Sequence, residues 1–399
     1  RVADVRKFGS LVTAGPFPVL PGGSWLFPRP LDAGLGTDGN ESTQPSLLPL
    51  AKDFTSAHSS LPEPLRYPVA NKHRPTKETP APWWNAAAWE SYLGTGTGIP
   101  TFHKNADFSD TEFSYGIGIN AETGTQDGQR FYSAHYLRLQ PNCRLGLLAE
   151  AMDKMDSDPK AKRDLIPALF PNSGTQPPVI VGGQQRLCTV EAHHQAAIPL
   201  PKGKTRDFEG TNPENKTTWL VKWVLLTPAI FPEITAGKSK RGTDRKAHPG
   251  GWLPTWICPK SGAVLLQSIS PEERLRRRKL NYGGKGYESQ PDISATLVAA
   301  LIGKSIPVTG YTLPHRDVED IQSAAKSTHL AVPAGSVYYF QADSKEAAEK
   351  LAAALNWHGG EISNPKPKIQ NRRSTLMGEK GFGLGVCGTW QFHSGELPT

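Results

Sequence analysis

The chain has 399 residues, with Lys+Arg 45 against Asp+Glu 37 and a formal net charge of +8. Glycine (39) and proline (36) make up about a fifth of it, above the usual share of roughly 12%, which argues against a helical bundle or coiled coil. The 37% hydrophobic content, with 10 Trp, 10 Tyr and 14 Phe, is enough for packed cores and excludes wholesale disorder. No apolar run approaches the roughly 18–20 residues that span a bilayer, and no apolar segment follows the first charges as in a secretory signal. Cys143, Cys188, Cys258 and Cys387 are dispersed without a CxxC pair, against a disulfide framework or zinc ribbon. A cytoplasmic protein without metal or cofactor is expected.

Along the chain, residues 1–110 are dense in Pro, Gly and aromatics and predict extended segments, with a short helix near 84–92. Tyr115-Gly-Ile-Gly-Ile-Asn120, a polar loop with Gly124 and Gly128, and the alternating stretch 130–140 predict a β-hairpin with Phe131, Ser133, His135, Leu137 and Leu139 on one face. A short helix is expected over 158–170, and strands over 178–181, 186–191, 218–226 and 262–269. Residues 232–251 read as a basic, Gly-containing loop. The region 329–340 reads as a strand interrupted at Pro333-Ala-Gly335. Asp343 then caps a helix to about residue 357, whose apolar stripe is Ala347, Leu351, Ala354 and Leu355. A polar linker, a Gly-rich loop over 378–388 and a last strand over 389–393 close the chain. Strand, helix, Gly-rich loop and strand form the second half of a ferredoxin-like βαββαβ unit. The length suits two such units.

Gly378-Glu-Lys-Gly-Phe-Gly-Leu-Gly-Val-Cys-Gly388 concentrates glycines that let backbone amides converge on an anion. Its match to the dinucleotide fingerprint fails on context, since a strand and not a helix follows. The Gly-Lys-Ser triplets at 237–239 and 303–305 lack the leading glycine of a phosphate-binding P-loop. A polyphosphate backbone across the loop is the remaining functional reading, and a tight turn into the last strand is the competing one. Arg372, Arg373 and Lys380 tip the balance toward RNA. A denser basic run, Arg274-Leu-Arg-Arg-Arg-Lys279, precedes Tyr282 and Tyr287, pairing phosphate-neutralising cations with rings that stack on bases. His135 and His315 are candidate general bases for RNA cleavage, although a mid-strand and a turn position suit structural roles better. No motif demands an enzyme.

Five segments in order resemble the third subunit of the type III-B (Cmr) CRISPR effector complex, of the RAMP superfamily. They are Tyr115-Gly-Ile-Gly-Ile-Asn120, Val181-Gly-Gly-Gln-Gln-Arg186, Leu225-Leu-Thr-Pro-Ala229 with Gly250-Gly-Trp-Leu-Pro254, Val332-Pro-Ala-Gly-Ser-Val-Tyr-Tyr-Phe340, and Gly378-Glu-Lys-Gly-Phe-Gly-Leu-Gly-Val386. The resemblance implies an α+β fold of two ferredoxin-like (RRM-like) RAMP units with long loop insertions, here 1–160 and 161–399. It implies a non-catalytic subunit in antiviral defence that holds the 5′ handle of the CRISPR RNA. Its implied partners are the large polymerase-like subunit and a backbone RAMP subunit, with no membrane. The expected RNA-binding residues are Gly182, Gly183, Arg186, Arg276, Arg277, Arg278, Lys279, Arg372, Arg373, Gly378, Lys380, Gly381, Phe382, Gly383 and Gly385. A RAMP endoribonuclease that processes the precursor RNA is the alternative.

Overall fold

A computed structural model describes residues 10–36, 38–51, 61–73, 77–120, 122–154, 162–172, 176–181, 186–194, 197–238, 244–267, 292–312, 324–360 and 368–393. The N-terminal part supplies strand β1 (Leu11–Val19), helix α1 (Ala86–Leu93), the hairpin strands β2 (Ser109–Ile119) and β3 (Gln126–Leu139), and β4 (Arg144–Lys154). The C-terminal part supplies β5 (Thr217–Leu225), β6 (Ala295–Leu301), β7 (Val337–Ala342), helix α2 (Lys345–Leu355) and β8 (Gly385–Thr389). The architecture is α+β, mostly strands.

β5, β6, β7 and β8 form one antiparallel sheet in the spatial order β8-β5-β7-β6, which the short strand Glu209–Thr211 extends alongside β5. β5 reads Thr-Thr-Trp-Leu-Val-Lys-Trp-Val-Leu, a β-branched and aromatic run suited to a pleated surface. Its period of two sends Val221, Trp223 and Leu225 to one face and Leu220, Lys222 and Val224 to the other. Both faces are buried.

α2 covers the first face. Its apolar stripe is the one predicted, and Ala347, Leu351, Ala354 and Leu355 pack with Val221, Trp223 and Leu225 in one cluster. The cap is Ser344 and not Asp343: the Ser344 hydroxyl accepts the Ala347 amide at 3.1 Å, while the Asp343 carboxylate takes the Ser294 hydroxyl. The helix spans Lys345–Leu355 because the Asn356 backbone turns extended.

α1 and its flanking loops cover the second face. Trp84, Trp89, Tyr92 and Leu93 cluster with Leu220, Val224, Val337, Tyr339 and Val386. Asn85 caps α1 by accepting the Ala88 amide, and Gly94 ends it in the left-handed conformation. Lys222 belongs to this face and is 1% exposed. Its ammonium lies 3.3 Å from Asp32 Oδ2 and 3.6 Å from the centre of the Tyr92 ring. The Tyr92 and Tyr339 hydroxyls donate to the same carboxylate at 2.5 and 3.2 Å. A buried ion needs such partners, since transfer from water costs several kcal/mol. The network ties the N-terminal segment to the sheet. Burial pulls the Lys222 pKa below its ordinary value and pushes those of Tyr92 and Tyr339 well above theirs, with Asp32 opposing the first and reinforcing the others.

β1 pairs with β4, with a register shift between Ala14 and Phe17. The predicted hairpin forms: β2 and β3 pair antiparallel with Phe113 opposite His135, Tyr115 opposite Ser133 and Ile117 opposite Phe131. The shared face faces solvent, with Phe113, Tyr115, Ile117, Ile119, Phe131 and Leu137 all exposed.

Other expectations are corrected. Residues 262–267 form bridges at Ala263 and Val264, not a regular strand. Of the helix expected over 158–170, the described residues 162–170 form a short strand, Lys162–Asp164, and a helical turn, Ile166–Leu169. Among the described residues the last strand is Gly385–Thr389, so the Gly-rich segment runs into the sheet four residues earlier than its composition suggests. Among the described residues no helix connects β5 to β6, and none is long and apolar enough to cross a membrane.

Candidate nucleic-acid interface

Between β7 and β8 the chain turns through a 3-10 segment, Gly378–Lys380, before entering the sheet. Met377 precedes it at φ +58°, and Gly381 (φ +91°) and Gly383 (φ +78°) follow. These glycines serve close approach. A Cβ on Gly383 would lie 2.0 Å from the Ser374 amide nitrogen, and one on Gly381 would lie 2.8 Å from Ala14 Cα. Gly385, inside β8, lets the Trp223 indole sit where a Cβ would stand, at 2.2 Å. Trp223 Nε1 donates to the Leu355 carbonyl at 3.2 Å from that position.

Five consecutive amides of this run, from Lys380 to Leu384, already have protein partners. The amides of Lys380 and Phe382 donate to the Met377 carbonyl and that of Gly381 to Gly378. The Gly383 amide donates to Pro228 O at 2.8 Å, and the Leu384 amide to Thr227 Oγ1 at 2.9 Å. A buried backbone donor needs a partner, and here those partners are protein atoms. An anion at residues 380–384 must therefore be met by side chains.

Arg372 and Arg373 are committed to carbonyl oxygens. Arg372 Nη1 donates to Thr13 O at 2.6 Å and Gly378 O at 3.0 Å. Arg373 Nε donates to Ala354 O at 2.5 Å, and Asn371 Nδ2 donates to Ala353 O and Asn356 O, both at 2.8 Å. Asn371 and Arg373 thus satisfy the carbonyls left open at the C-terminus of α2. The sequence carries the residue types for this cap, but their distance from the helix end hides it.

Lys380 and Phe382 border a cleft of about 760 Å³. Its other wall is a small hairpin in which Ile306–Val308 pairs with His329–Ala331, Val308 lying opposite His329. This wall adds Thr309, Lys326, Ser327 and His329. The Lys326 amide donates to Gly310 O at 2.8 Å, and Thr309 Oγ1 donates to Lys326 O at 3.2 Å, which fixes the Lys326 backbone. Two ammonium side chains, an imidazole, two hydroxyls and an aromatic ring therefore line one open cleft. That set can neutralise phosphates, hydrogen-bond a sugar or base edge, and stack on a base. Thr309, Lys326, Ser327 and His329 escaped sequence reading because nothing local marks them.

The remaining predicted residues lie elsewhere. Arg186 is exposed on a short strand, Arg186–Cys188, with its guanidinium 4.2 Å from the centre of the Tyr136 ring. Gly182, Gly183, Arg276, Arg277, Arg278, Lys279 and His315 fall outside the described residues. The His135 ring lies tilted against Phe113, with 4.6 Å between ring centres, on the exposed hairpin face. Among the described residues no group of three His, Cys, Asp or Glu side chains is arranged to hold a metal ion.

Comparison with protein families matches residues 1–390 to CRISPR-associated protein (Cas_Cmr3). The chain belongs to the Cas_Cmr3 family. Cas_Cmr3 proteins are subunits of the Cmr, type III-B, CRISPR effector complex, so this chain has partners in that assembly. Comparison with curated proteins gives no match. The cleft is thus a feature of a Cas_Cmr3 protein whose match runs through the Gly-rich loop and both cleft walls.

Proposed function

We propose that the chain is a non-catalytic, RNA-binding subunit that holds the 5′ handle of the CRISPR RNA and docks the large polymerase-like subunit, with a backbone RAMP subunit on its other side. The cleft between the 306–331 hairpin and the Gly-rich loop carries this reading, through Lys326, Lys380, His329 and Phe382. The order β8-β5-β7-β6 with α2 packed on one face supports reading the C-terminal part as a ferredoxin-like RAMP unit. The exposed apolar face of the β2–β3 hairpin supports the docking part, because apolar patches of this kind mark interaction sites.

The test is isolation of the assembled complex, extraction of its RNA and sequencing of the 5′ ends. A common, repeat-derived 5′ end is expected, and Lys326→Ala with Lys380→Ala should lower RNA retention in high salt. A complex free of RNA, or retention identical to wild type in the double variant, contradicts the reading. Incubation with repeat RNA without metal should leave it intact. Cleavage that His135→Ala abolishes would instead favour a processing endoribonuclease.

A further inference from the structure

Arg372 bonds to the root of the Gly-rich loop, and its surroundings differ from those of a phosphate anchor. One terminal nitrogen, Nη1, donates both to Thr13 O in β1 and to Gly378 O at the start of the 3-10 turn. The carboxylates of Glu150, on β4, and Glu379, in the turn itself, act on the guanidinium, which burial otherwise shifts below its ordinary pKa. Glu150 also pairs with Lys368 at 3.4 Å. A phosphate brought to Arg372 would meet two carboxylates. β1 touches the loop a second time where Gly381 packs on Ala14. The residues next to these contacts, Met377, Lys380 and Phe382, are the loop's share of the cleft.

We infer that Arg372 is a positioning residue: by clamping Gly378 to Thr13 it makes β1 set the loop conformation that presents Lys380 and Phe382 to RNA. The inference rests on the RNA-binding reading above. It assigns Arg372 no phosphate of its own. Guanidinium geometry matters here, because the two N–H bonds of one planar Nη1 point in fixed directions at the two carbonyls, whereas an ammonium is a rotating point charge.

The experiment measures binding of a short fluorescein-labelled single-stranded RNA of mixed sequence to the full chain by anisotropy across a salt series. It compares wild type, Arg372→Ala, Arg372→Lys and Lys380→Ala well below each melting temperature. Loss of a phosphate contact lowers the slope of log K against log salt by about 1, and Lys380→Ala should show that. Arg372→Ala should weaken binding about fivefold at every salt concentration with the slope of wild type, the scale of one lost ordinary hydrogen bond. Arg372→Lys should resemble Arg372→Ala despite keeping the charge. A slope lowered by about 1 in Arg372→Ala, or full rescue by lysine, would identify a direct phosphate contact and overturn the inference. Unchanged affinity in Arg372→Ala would reduce the residue to a purely structural role and overturn it too. Absence of salt-dependent binding by wild type would refute the RNA-binding reading itself, an outcome visible before any variant is compared.

Discussion

Replacing Asp32 by alanine removes the acceptor shared by Lys222, Tyr92 and Tyr339 from a site where Asp32 is 0% and Lys222 1% exposed. The Lys222 ammonium then keeps only the Tyr92 ring at 3.6 Å, and two buried hydroxyls lose their acceptor. Breaking one partner of a buried pair costs about 3–5 kcal/mol, and each unsatisfied hydroxyl adds on the order of 1 kcal/mol. Asp32→Ala is therefore expected to lose about 4 kcal/mol or more, and Lys222→Met about 3 kcal/mol. The double variant Asp32→Asn/Lys222→Met keeps the volume and removes both charges, so it should lie within about 2 kcal/mol of wild type. Urea unfolding followed by tryptophan fluorescence reads the difference, since Trp84 and Trp89 sit in the same cluster. Losses below about 1 kcal/mol in the single variants, or a double variant that costs as much as Lys222→Met alone or more, would refute the argument that the network docks the N-terminal segment onto the sheet.

Gly383→Ala sets a Cβ against the Ser374 amide at a φ of +78°. It should cost about 2–3 kcal/mol in urea unfolding, against a few tenths for Gly94→Asn, where nothing lies within 4 Å. His358 Nε2 accepts the Gly203 amide at 3.0 Å, and burial holds its pKa below the ordinary imidazole value. The unfolded chain therefore binds this proton first as pH falls through about 6.5, so stability present above that pH is lost on acidification. A urea-midpoint profile should show a shallower acid loss for His358→Gln, and an identical slope in both proteins would contradict the assignment.

Much of the sheet was legible. The apolar run of β5, the stripe of α2 and the alternation of β2 and β3 each follow from a local period that survives in the fold. The 218–226 run reads as a buried strand, but the partner that lets Lys222 be buried in it was not legible, because Asp32 lies 190 residues earlier in the chain. The Gly-rich run reads as a loop by composition, yet Gly385 and Gly388 sit in a strand because Trp223, Leu93 and Lys222 occupy the space of their side chains. Arg372 and Arg373 read as RNA-facing charge, and geometry gives their hydrogen bonds to carbonyls. The cleft was invisible because its walls come from opposite sides of β7 and α2 in the chain.

Ultraviolet crosslinking of the assembled complex, with mass spectrometry of the crosslinked peptides of this subunit, addresses RNA placement most directly. Adducts are expected on peptides containing Lys326 to His329 and Met377 to Phe382, the two walls of the cleft. Crosslinks confined to other segments, with both walls unmodified in an RNA-loaded particle, would contradict the placement.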